Sequence, residues 1–569
     1  MQLDLFDSPT VTVTPRRPEP PSLNLRPYQA QAIESIHADF GAGKSTLLVL
    51  PTGTGKTICF AHLAKQMPHG RVMILAHREE LIFQAAKKLK AVTGEKIAVE
   101  MANHWSNEGR DRARIVVSTV QTQIAGENGN GRMSRFAPNE FGLLVIDEAH
   151  HVPASSYRKV IDWYRHNPTV CVLGVTATPD RLDEKALGQM FDSVAFDYEI
   201  SDAIRDGWLV PIRQSTVTVE ALDLSAVKTT AGDLNQGELA RVMEEEEILH
   251  RIASPTIDLA GHRKTLVFAS SVAHAERLAE IFNRHSDKCA RWVCAKTPKD
   301  ERRQMFCDYA AGKFQVLCNV GVLTEGFDEP SVEVVAVARP TKSRALYAQM
   351  VGRGTRPLTG VVDGIAEADA RRTAIANSGK SHLEVIDFVG NAGRHKLITT
   401  ADILGGKYDD EVVEQAKRDM RAVDREGRPV PVDTAEALEK AKAHLHELRR
   451  RERERRREVK ARAAYTVETV NPFDVFDVEP ERERGWHKGR PITDKMAEML
   501  RRNGFDPKAL SYTHAQQVIG QIIDHPEKLP CTVKQAGVLR RFGYNPEEAN
   551  KAQATKLIDA IVANGWRRP

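Results

Sequence analysis

The chain has 569 residues, of which 41% are hydrophobic and 28% charged, and its formal net charge is only +4. This is an ordinary water-soluble composition, and the length is enough for three or four domains. No run approaches the ~18 apolar residues of a membrane span, and the polar, proline-rich opening has no apolar signal core, so we predict a cytoplasmic protein with no membrane contact.

The cysteine pattern argues against a metal site. The seven cysteines include no C-x-x-C pair, and most of them lie inside apolar runs. That spacing favours reduced core thiols over disulfides or metal ligands. We therefore predict that the protein binds no zinc.

The first predicted elements are a helix and two glycine-lysine turns, at Lys44 and Lys56. Phosphate binding needs the order strand, glycine-rich turn, helix, because backbone N–H groups then converge on the anion. Lys44 follows the helical run YQAQAIESIHADF and precedes the apolar run TLLVL, which is the wrong order. Lys56 follows TLLVL and precedes a helical run, so we predict phosphate binding at Gly53, Thr54, Gly55, Lys56 and Thr57.

Two carboxylates follow the next strong strand signal. The apolar run from Leu143 to Ile146 delivers Asp147 and Glu148 to its carboxyl end. Mg²⁺ prefers oxygen ligands, so we predict that Asp147 and the hydroxyl of Thr57 hold Mg²⁺ while Glu148 polarises an attacking water. An Asp-Glu pair alone also fits a solvated acidic turn, but the full Asp-Glu-Ala-His run after a buried strand is far more specific.

Both patterns resemble motifs of one family. Pro-Thr-Gly-Thr-Gly-Lys-Thr and Asp-Glu-Ala-His look like motifs I and II of the DEAD/DEAH-box helicases and translocases of superfamily two. Further runs match in the family's order: LRPYQAQAI, LAHREELIFQ, VSTVQT, GVTATPDR, KTLVFASS, TEGFD and QMVGRGTR. The resemblance covers roughly residues 23 to 360 and is strongest to the RadD-type and type III restriction branch. RadD-type proteins carry a cysteine-rich zinc segment that is absent here, which leaves a repair function open.

The resemblance implies an ATP site with residues from both halves of the match. Gln29 would bond the adenine with Tyr28 beside it, and Asp328 would face the nucleotide sugar. The second half would add the motif Q-x-x-G-R-x-x-R, whose guanidinium groups neutralise charge on the γ-phosphate. Its expected catalytic residues are Gln349, Arg353 and Arg356.

The resemblance also implies a nucleic-acid path. Thr176 and Thr178 would couple this path to the nucleotide. Contacts to phosphates rather than to base edges would give sequence-tolerant, salt-sensitive binding. The expected contacts are Arg78, Thr119, Gln121, Ser270 and Thr324.

The C-terminal part contains an internal repeat. Pro491 to Pro507 aligns with Pro530 to Pro546, and each copy predicts a helix capped by threonine, ended by glycine and followed by a second helix. Residues 486–569 are also the basic part of the chain. The exposed Arg-Arg pairs could contact nucleic acid, or the repeats could pack together and dock a protein partner.

We therefore predict an α/β fold with two tandem RecA-like parallel-sheet domains, a charged helix and a small α-helical tandem repeat. The expected segments are a disordered tail (1–22), an ATP-binding domain (23–210), a hinge or small insertion (211–245), a second RecA-like domain (246–400), a charged helical linker (401–485) and the repeat (486–569).

The predicted function is that of an ATP- and Mg²⁺-dependent helicase or translocase on nucleic acid, DNA favoured over RNA, in repair, recombination or replication. Two alternatives stay open: a duplex-DNA translocase that does not unwind, and a non-catalytic nucleic-acid-binding scaffold. The scaffold is disfavoured because Lys56, Asp147, Glu148, Arg353 and Arg356 are all present.

Overall fold

Two strand-rich lobes and a helical C-terminal part make up the protein. The computed structural model describes residues 25–67, 70–76, 79–106, 112–125, 131–152, 154–177, 187–230, 232–323, 327, 329–461, 471–476, 478, 480–529, 531, 533–545 and 549–568. The tail predicted over residues 1–22 lies outside them.

The first lobe is built on a seven-stranded, all-parallel sheet of order β3-β4-β2-β5-β6-β1-β7. Most of its strands are continuous apolar runs, as expected for strands covered on both faces. Because all seven strands run in the same direction, their carboxyl ends meet at one edge of the sheet. The strands are β1 (Thr46–Val49), β2 (Arg71–Ala76), β3 (Ile97–Glu100), β4 (Ile115–Thr119), β5 (Phe141–Asp147), β6 (Cys171–Thr176) and β7 (Ser193–Asp197).

Helices cover both faces of this sheet, so alternate residues of a strand pack in two different hydrophobic cores. Leu48 packs in one core, while Leu47 and Val49 pack in the other. The helices are α1 (Pro27–Gly41), α2 (Lys56–Gln66), α3 (Glu79–Thr93), α4 (Val120–Ile124), α5 (Ser155–Tyr164) and α6 (Ile200–Arg205).

The second lobe is built on another seven-stranded sheet, of order β12-β13-β11-β14-β15-β8-β16, in which β16 runs antiparallel to β8. A two-stranded ribbon, β9 with β10, lies outside it. The strands are β8 (Ile212–Asp223), β9 (Thr229–Thr230), β10 (Asp233–Leu234), β11 (Thr265–Ala269), β12 (Ala290–Val293), β13 (Val316–Asn319), β14 (Val334–Ala338), β15 (Leu383–Asn391) and β16 (Val432–Asp433).

The helices of this lobe lie between and after its strands. The last of them, α15, is the predicted charged helix. They are α7 (Gln236–Met243), α8 (Glu246–Ala260), α9 (Val272–His285), α10 (Lys299–Ala310), α11 (Arg344–Val351), α12 (Ala368–Ala376), α13 (Thr400–Leu404), α14 (Asp410–Asp419) and α15 (Thr434–Ala461).

The prediction of a hinge or small insertion over residues 211–245 was wrong for the first part of that range. This segment begins with β8, a 12-residue strand that pairs with β15 and β16 inside the second sheet. The lobe also extends past the predicted end at residue 400, because β16 belongs to the sheet. Both errors have one cause: the partners of β8 lie more than 150 residues further along the chain, and nothing in the local pattern reveals that pairing.

The C-terminal part has two helices in each copy of the repeat. Thr493 caps the first of them, its hydroxyl accepting from the backbone N–H of Met496. Gly504 and Gly543 follow the first helix of each copy in left-handed conformations, with φ of +85° and +77°. The short helix α16 (Pro472–Phe476) precedes the repeat, whose four helices are α17 (Asp494–Arg502), α18 (Tyr512–Asp524), α19 (Val533–Arg541) and α20 (Lys551–Ala563).

The segment that leads into this part is bound to both lobes. Arg484 is buried and forms ion pairs with Glu199 and with Asp197, the latter at 3.2 Å, in the first lobe. Its guanidinium also donates at 3.2 Å to the carbonyl oxygen of Gly406, which lies between α13 and α14 of the second lobe. Trp486 lies directly against Gly188, where an added Cβ would be 2.8 Å from the Trp486 backbone.

Among the residues that the structure describes, no helix has both the length and the apolar character needed to cross a bilayer. The seven cysteines are free thiols, and Cys59, Cys294 and Cys318 are buried. Within the described part of the chain, no three His, Cys, Asp or Glu side chains are grouped to hold a metal ion.

Candidate nucleotide site between the two lobes

The two glycine-lysine turns have different surroundings. Lys56 begins α2 directly after β1 and a glycine turn, so this loop has the order that phosphate binding requires. Gly53 and Gly55 have φ of +92° and +85°, and a Cβ on Gly55 would lie 2.6 Å from the amide nitrogen of Gln29. Lys44 instead lies in an exposed turn between α1 and β1, 3.9 Å from Asp39.

Side chains from α1 support the glycine loop from behind. The Tyr28 hydroxyl donates to the carbonyl oxygen of Thr54 at 2.6 Å, and the Gln29 amide donates to the same oxygen at 2.8 Å. Burial raises the pKa of Tyr28 to about 12, so its hydroxyl stays protonated and can donate. The Thr54 hydroxyl donates in turn to the Pro51 carbonyl at 2.7 Å. Contact of Tyr28 and Gln29 with adenine stays a prediction.

The acidic pair lies at the end of β5. Glu148 has φ of +51°, a left-handed backbone that is costly for any residue with a side chain and is typical of functional sites. Its carboxylate lies 3.3 Å from the Lys56 ammonium. Burial opposes ionisation of Glu148, but the charges of Lys56 and His150 outweigh it and hold the pKa of its carboxyl below the usual range. Glu148 is therefore a carboxylate at neutral pH.

A polar contact links this pair to β6. The His150 ring nitrogen Nδ1 lies 3.4 Å from Glu148 and 3.3 Å from the hydroxyl of Thr176, which is fully buried at the end of the strand. Lys56, Glu148, His150 and Thr176 thus form one connected path from the glycine loop to β6. Thr176, where the path ends, is two positions before Thr178 in the sequence.

The oxygen donors predicted for Mg²⁺ sit at this same edge. Thr57 lies in the first turn of α2, and Asp147 is the last residue of β5, with β6 lying between β1 and β5 in the sheet. A hydroxyl and a carboxylate are hard oxygen ligands, which suit an ion that keeps waters and binds phosphates as its other ligands. The two side chains therefore fit Mg²⁺.

The second lobe completes the site through the residues that follow α11. A Cβ on Gly352 would lie 2.8 Å from the Thr52 side chain, so its backbone packs on the glycine loop. The Arg356 side chain lies over Gly53, with Cγ and Nε both 3.3 Å from where a Cβ would be. Burial lowers the pKa of Arg356 to about 10, which still leaves the guanidinium charged at neutral pH.

Of the other two residues of this motif, Arg353 forms a hydrogen bond within the second lobe and Gln349 is buried. Arg353 donates through Nη1 to the carbonyl oxygen of Phe327 at 2.8 Å. Gln349 is only 8% exposed, on α11. Their catalytic roles stay predictions.

Sequence reasoning missed Lys380, which is only 2% exposed. Its ammonium donates to the carbonyl oxygens of Arg356 and Pro330, each at 2.7 Å. Burial lowers the pKa of Lys380 to about 7. Lysine is almost never fully buried without partners, but its position in a polar turn before β15 gave no signal of burial.

The predicted nucleic-acid residues are only partly brought together. Thr119 caps α4 by accepting from the backbone N–H of Thr122 at 3.0 Å, and with the exposed Gln121 it lines an open cleft of about 470 Å³. Ser270, in the second lobe, is only 8% exposed, and its hydroxyl lies 2.8 Å from Nδ1 of His274. The remaining predicted residues lie outside the described part of the chain: Arg78, Thr178, Thr324 and Asp328.

Two family models match the two lobes. Residues 22–181 match the model described as type III restriction enzyme, res subunit. Residues 246–357 match the helicase conserved C-terminal domain. The first match spans the glycine loop and the acidic pair, and the second spans the arginine motif.

Individual relatives agree with these matches. A candidate ATP-dependent helicase named IRC3 from Saccharomyces cerevisiae is 31% identical over 71% of this chain and 57% of its own length. DNA 3'-5' helicase XPB from Mycobacterium tuberculosis is 26% identical over 67% of this chain and 66% of its own length. The chain thus spans little more than half the length of IRC3.

A solved structure shares the fold. The ATP-dependent type ISP restriction-modification enzyme LlaBIII bound to DNA matches with a TM-score of 0.51 over 96% of this chain and 40% of that one. The identity is 14%, so the likeness concerns the fold alone. Its coverage includes both sheets of the present chain.

Proposed function

We propose that the chain is a member of superfamily two of the helicases and translocases and that it couples ATP hydrolysis to movement along nucleic acid, with DNA as the track. The observation that carries the proposal is the position of Arg356, a second-lobe side chain that lies over Gly53 in the glycine loop of the first lobe. A nucleotide in that loop would touch both lobes, so its hydrolysis would change how they are held together.

The site supplies what phosphoryl transfer needs. Lys56 and the loop N–H groups bind the phosphates, and Arg356 neutralises charge that develops on the γ-phosphate. Glu148, ionised and held beside Lys56, orients and polarises the attacking water. Mg²⁺ held by Thr57 and Asp147 would neutralise phosphate charge. The Asp-Glu-Ala-His run supports assignment to the DEAH-box form.

DNA is favoured over RNA for one reason. The similar protein XPB is named a DNA helicase, and the structure of LlaBIII was solved with DNA bound. The residues of the present site do not distinguish DNA from RNA, because they address phosphates that both nucleic acids carry. Translocation along duplex DNA without strand separation is the competing function. We propose a cytoplasmic location and a role in repair, recombination or replication, as the composition and the motifs indicate.

The C-terminal repeat is proposed as a binding module for a protein partner or for nucleic acid. Its helices α18 and α20 expose Ile523 and Val562, which are 63% and 47% exposed. The basic residues of both copies support the nucleic-acid alternative.

The test of this function is ATP hydrolysis by the wild type with no nucleic acid, single-stranded DNA, duplex DNA and single-stranded RNA. We expect several-fold stimulation by DNA, because the track favours the closed arrangement of the lobes. The Glu148→Gln variant measures the background rate of ATP hydrolysis in the preparation. Equal rates under all four conditions would argue against a nucleic-acid motor, and stimulation by duplex alone would favour the translocase.

Lys380→Met is expected to lower kcat by about 10- to 100-fold with little change in KM, since small displacements of a catalytic group have effects of this size. The variant removes both hydrogen bonds that hold the carbonyls of Arg356 and Pro330. Steady-state kinetics measures the effect. Lys440→Met, at an exposed lysine on α15, is the control. A lower melting temperature with unchanged kcat would show that Lys380 stabilises the fold without contributing to catalysis.

A further inference from the structure

A group of aromatic and arginine side chains lies at the same edge of the first sheet, and the hydrolysis cycle does not use it. This group, the Trp105 cluster, follows the carboxyl end of the edge strand β3. Two of its members are large apolar side chains in contact with solvent: Trp105 is 41% exposed and Phe83 is 45% exposed. Its members are Phe83, His104, Trp105, Arg132 and Arg135.

A buried carboxylate fixes the base of the cluster. Glu100, the last residue of β3, is 1% exposed, and it accepts from the backbone N–H and hydroxyl of Ser106 at 2.6 and 2.7 Å. Its other oxygen lies 3.3 Å from Arg132, whose guanidinium also donates to the carbonyl of Ala102 at 2.5 Å. Ala102 itself has φ of +47°. These bonds stabilise the turn between β3 and Trp105 together with the left-handed backbone of Ala102.

The indole ring is held by arginines. The Arg132 guanidinium carbon lies 3.6 Å from the centroid of the Trp105 ring, and that of Arg135 lies 4.3 Å from it. Phe83, on α3, makes an edge contact with His104 at 5.7 Å between centroids. A base that stacks on Trp105 would displace the Arg135 guanidinium, the more distant of the two, while Arg132 keeps the ring in place.

The cluster adjoins the predicted nucleic-acid cleft. Arg132 lines that cleft together with Thr119 and Gln121. β3, β4 and β2 are parallel neighbours, so their carboxyl ends form one continuous edge. A nucleic-acid strand that passes Thr119, at the end of β4, would therefore next reach Trp105, which lies beyond the end of β3.

We propose that the Trp105 cluster is a binding site for single-stranded nucleic acid, in which Trp105 and Phe83 contact unpaired bases and Arg135 contacts the backbone phosphate between them. Aromatic rings bind any base through its π-face, and arginine adds charge. Paired bases cannot stack on these side chains, so the site would favour a single strand over a duplex. The inference rests on the proposed function and names the form of nucleic acid held by the first lobe.

The test is the affinity of the full chain for a fluorescein-labelled oligothymidylate and for a duplex of equal length, by anisotropy at several salt concentrations with a non-hydrolysable ATP analogue. Trp105→Ala is expected to weaken single-strand binding roughly tenfold and to leave the slope of log Kd against log salt unchanged. Arg135→Ala is expected to reduce that slope by about one, because one phosphate contact is lost. Duplex affinity should change less in both variants.

Two controls separate binding from folding. Trp105→Phe keeps an aromatic face and should recover most of the affinity, while a melting curve shows whether Trp105→Ala is folded. Arg428→Ala removes an exposed arginine elsewhere and should bind as the wild type does.

Wild-type affinity in a folded Trp105→Ala variant would overturn the inference and leave the proposed function intact. A wild type that binds neither oligonucleotide would overturn both. Equal losses for single strand and duplex would show that the cluster holds phosphates only, against the base contacts proposed here.

Discussion

Lys56→Ala is expected to lower ATP turnover by about 100- to 1000-fold, the effect of removing one group that stabilises phosphoryl-transfer charge. The Lys56 ammonium lies at the start of α2, where the loop N–H groups converge, and it pairs with Glu148 at 3.3 Å. The substitution would remove the cation that neutralises the phosphates and would leave Glu148 without its partner. Nucleic-acid binding should persist, because no residue of the predicted track is changed. Single-turnover hydrolysis and anisotropy measure the two properties separately.

Lys44→Ala is the matched control for Lys56. Both lysines follow a glycine in a short turn, only 12 positions apart in the sequence. Lys44 lies in a turn that leaves a helix and enters a strand, so its turn does not begin a helix, and its exposed ammonium lies 3.9 Å from the half-buried Asp39. We expect wild-type turnover. A loss of activity in Lys44→Ala that equals the loss in Lys56→Ala would refute the assignment of the nucleotide to the second loop.

The phosphate loop was predictable because its chemistry is encoded locally. Strand, glycine turn and helix follow one another within about twenty residues, and the apolar run before Asp147 likewise fixes where that carboxylate lies. The parallel sheets also followed from local patterns, since buried strands and amphipathic helices alternate along both halves of the chain.

What sequence could not reveal depends on distant contacts. The pairing of β8 with β15 joins segments that are about 170 residues apart, and its absence from the local pattern led to the wrong hinge. Lys380 bonds to Arg356 and Pro330 only after the chain has folded. The same holds for the Trp105 cluster, since Arg132 reaches Glu100 across a loop. Single-residue roles of this kind need the tertiary structure.

Arg356→Ala is expected to lower turnover about 1000-fold, the low end of what an arginine contributes to the transition state of phosphoryl transfer. The side chain extends from the second lobe onto Gly53, so it is placed to sense the γ-phosphate from the opposite wall of the site. Lys380 bonds to the main-chain carbonyl of Arg356, which the substitution leaves in place, so the backbone should keep its position. ATP binding should weaken less than turnover, because Lys56 and the loop still hold the phosphates.

Arg356→Lys tests whether charge alone is enough. Lysine keeps the positive charge but lacks the planar fork that binds two phosphate oxygens, and a shorter reach from the second lobe would leave it further from the γ-phosphate. We therefore expect turnover between those of the wild type and Arg356→Ala, with the kcat effect larger than the KM effect. If both variants hydrolysed ATP at the wild-type rate and kept stimulation by DNA, the second lobe would take no part in the chemistry. The coupling between lobes would then have to arise from the packing of Gly352 on Thr52.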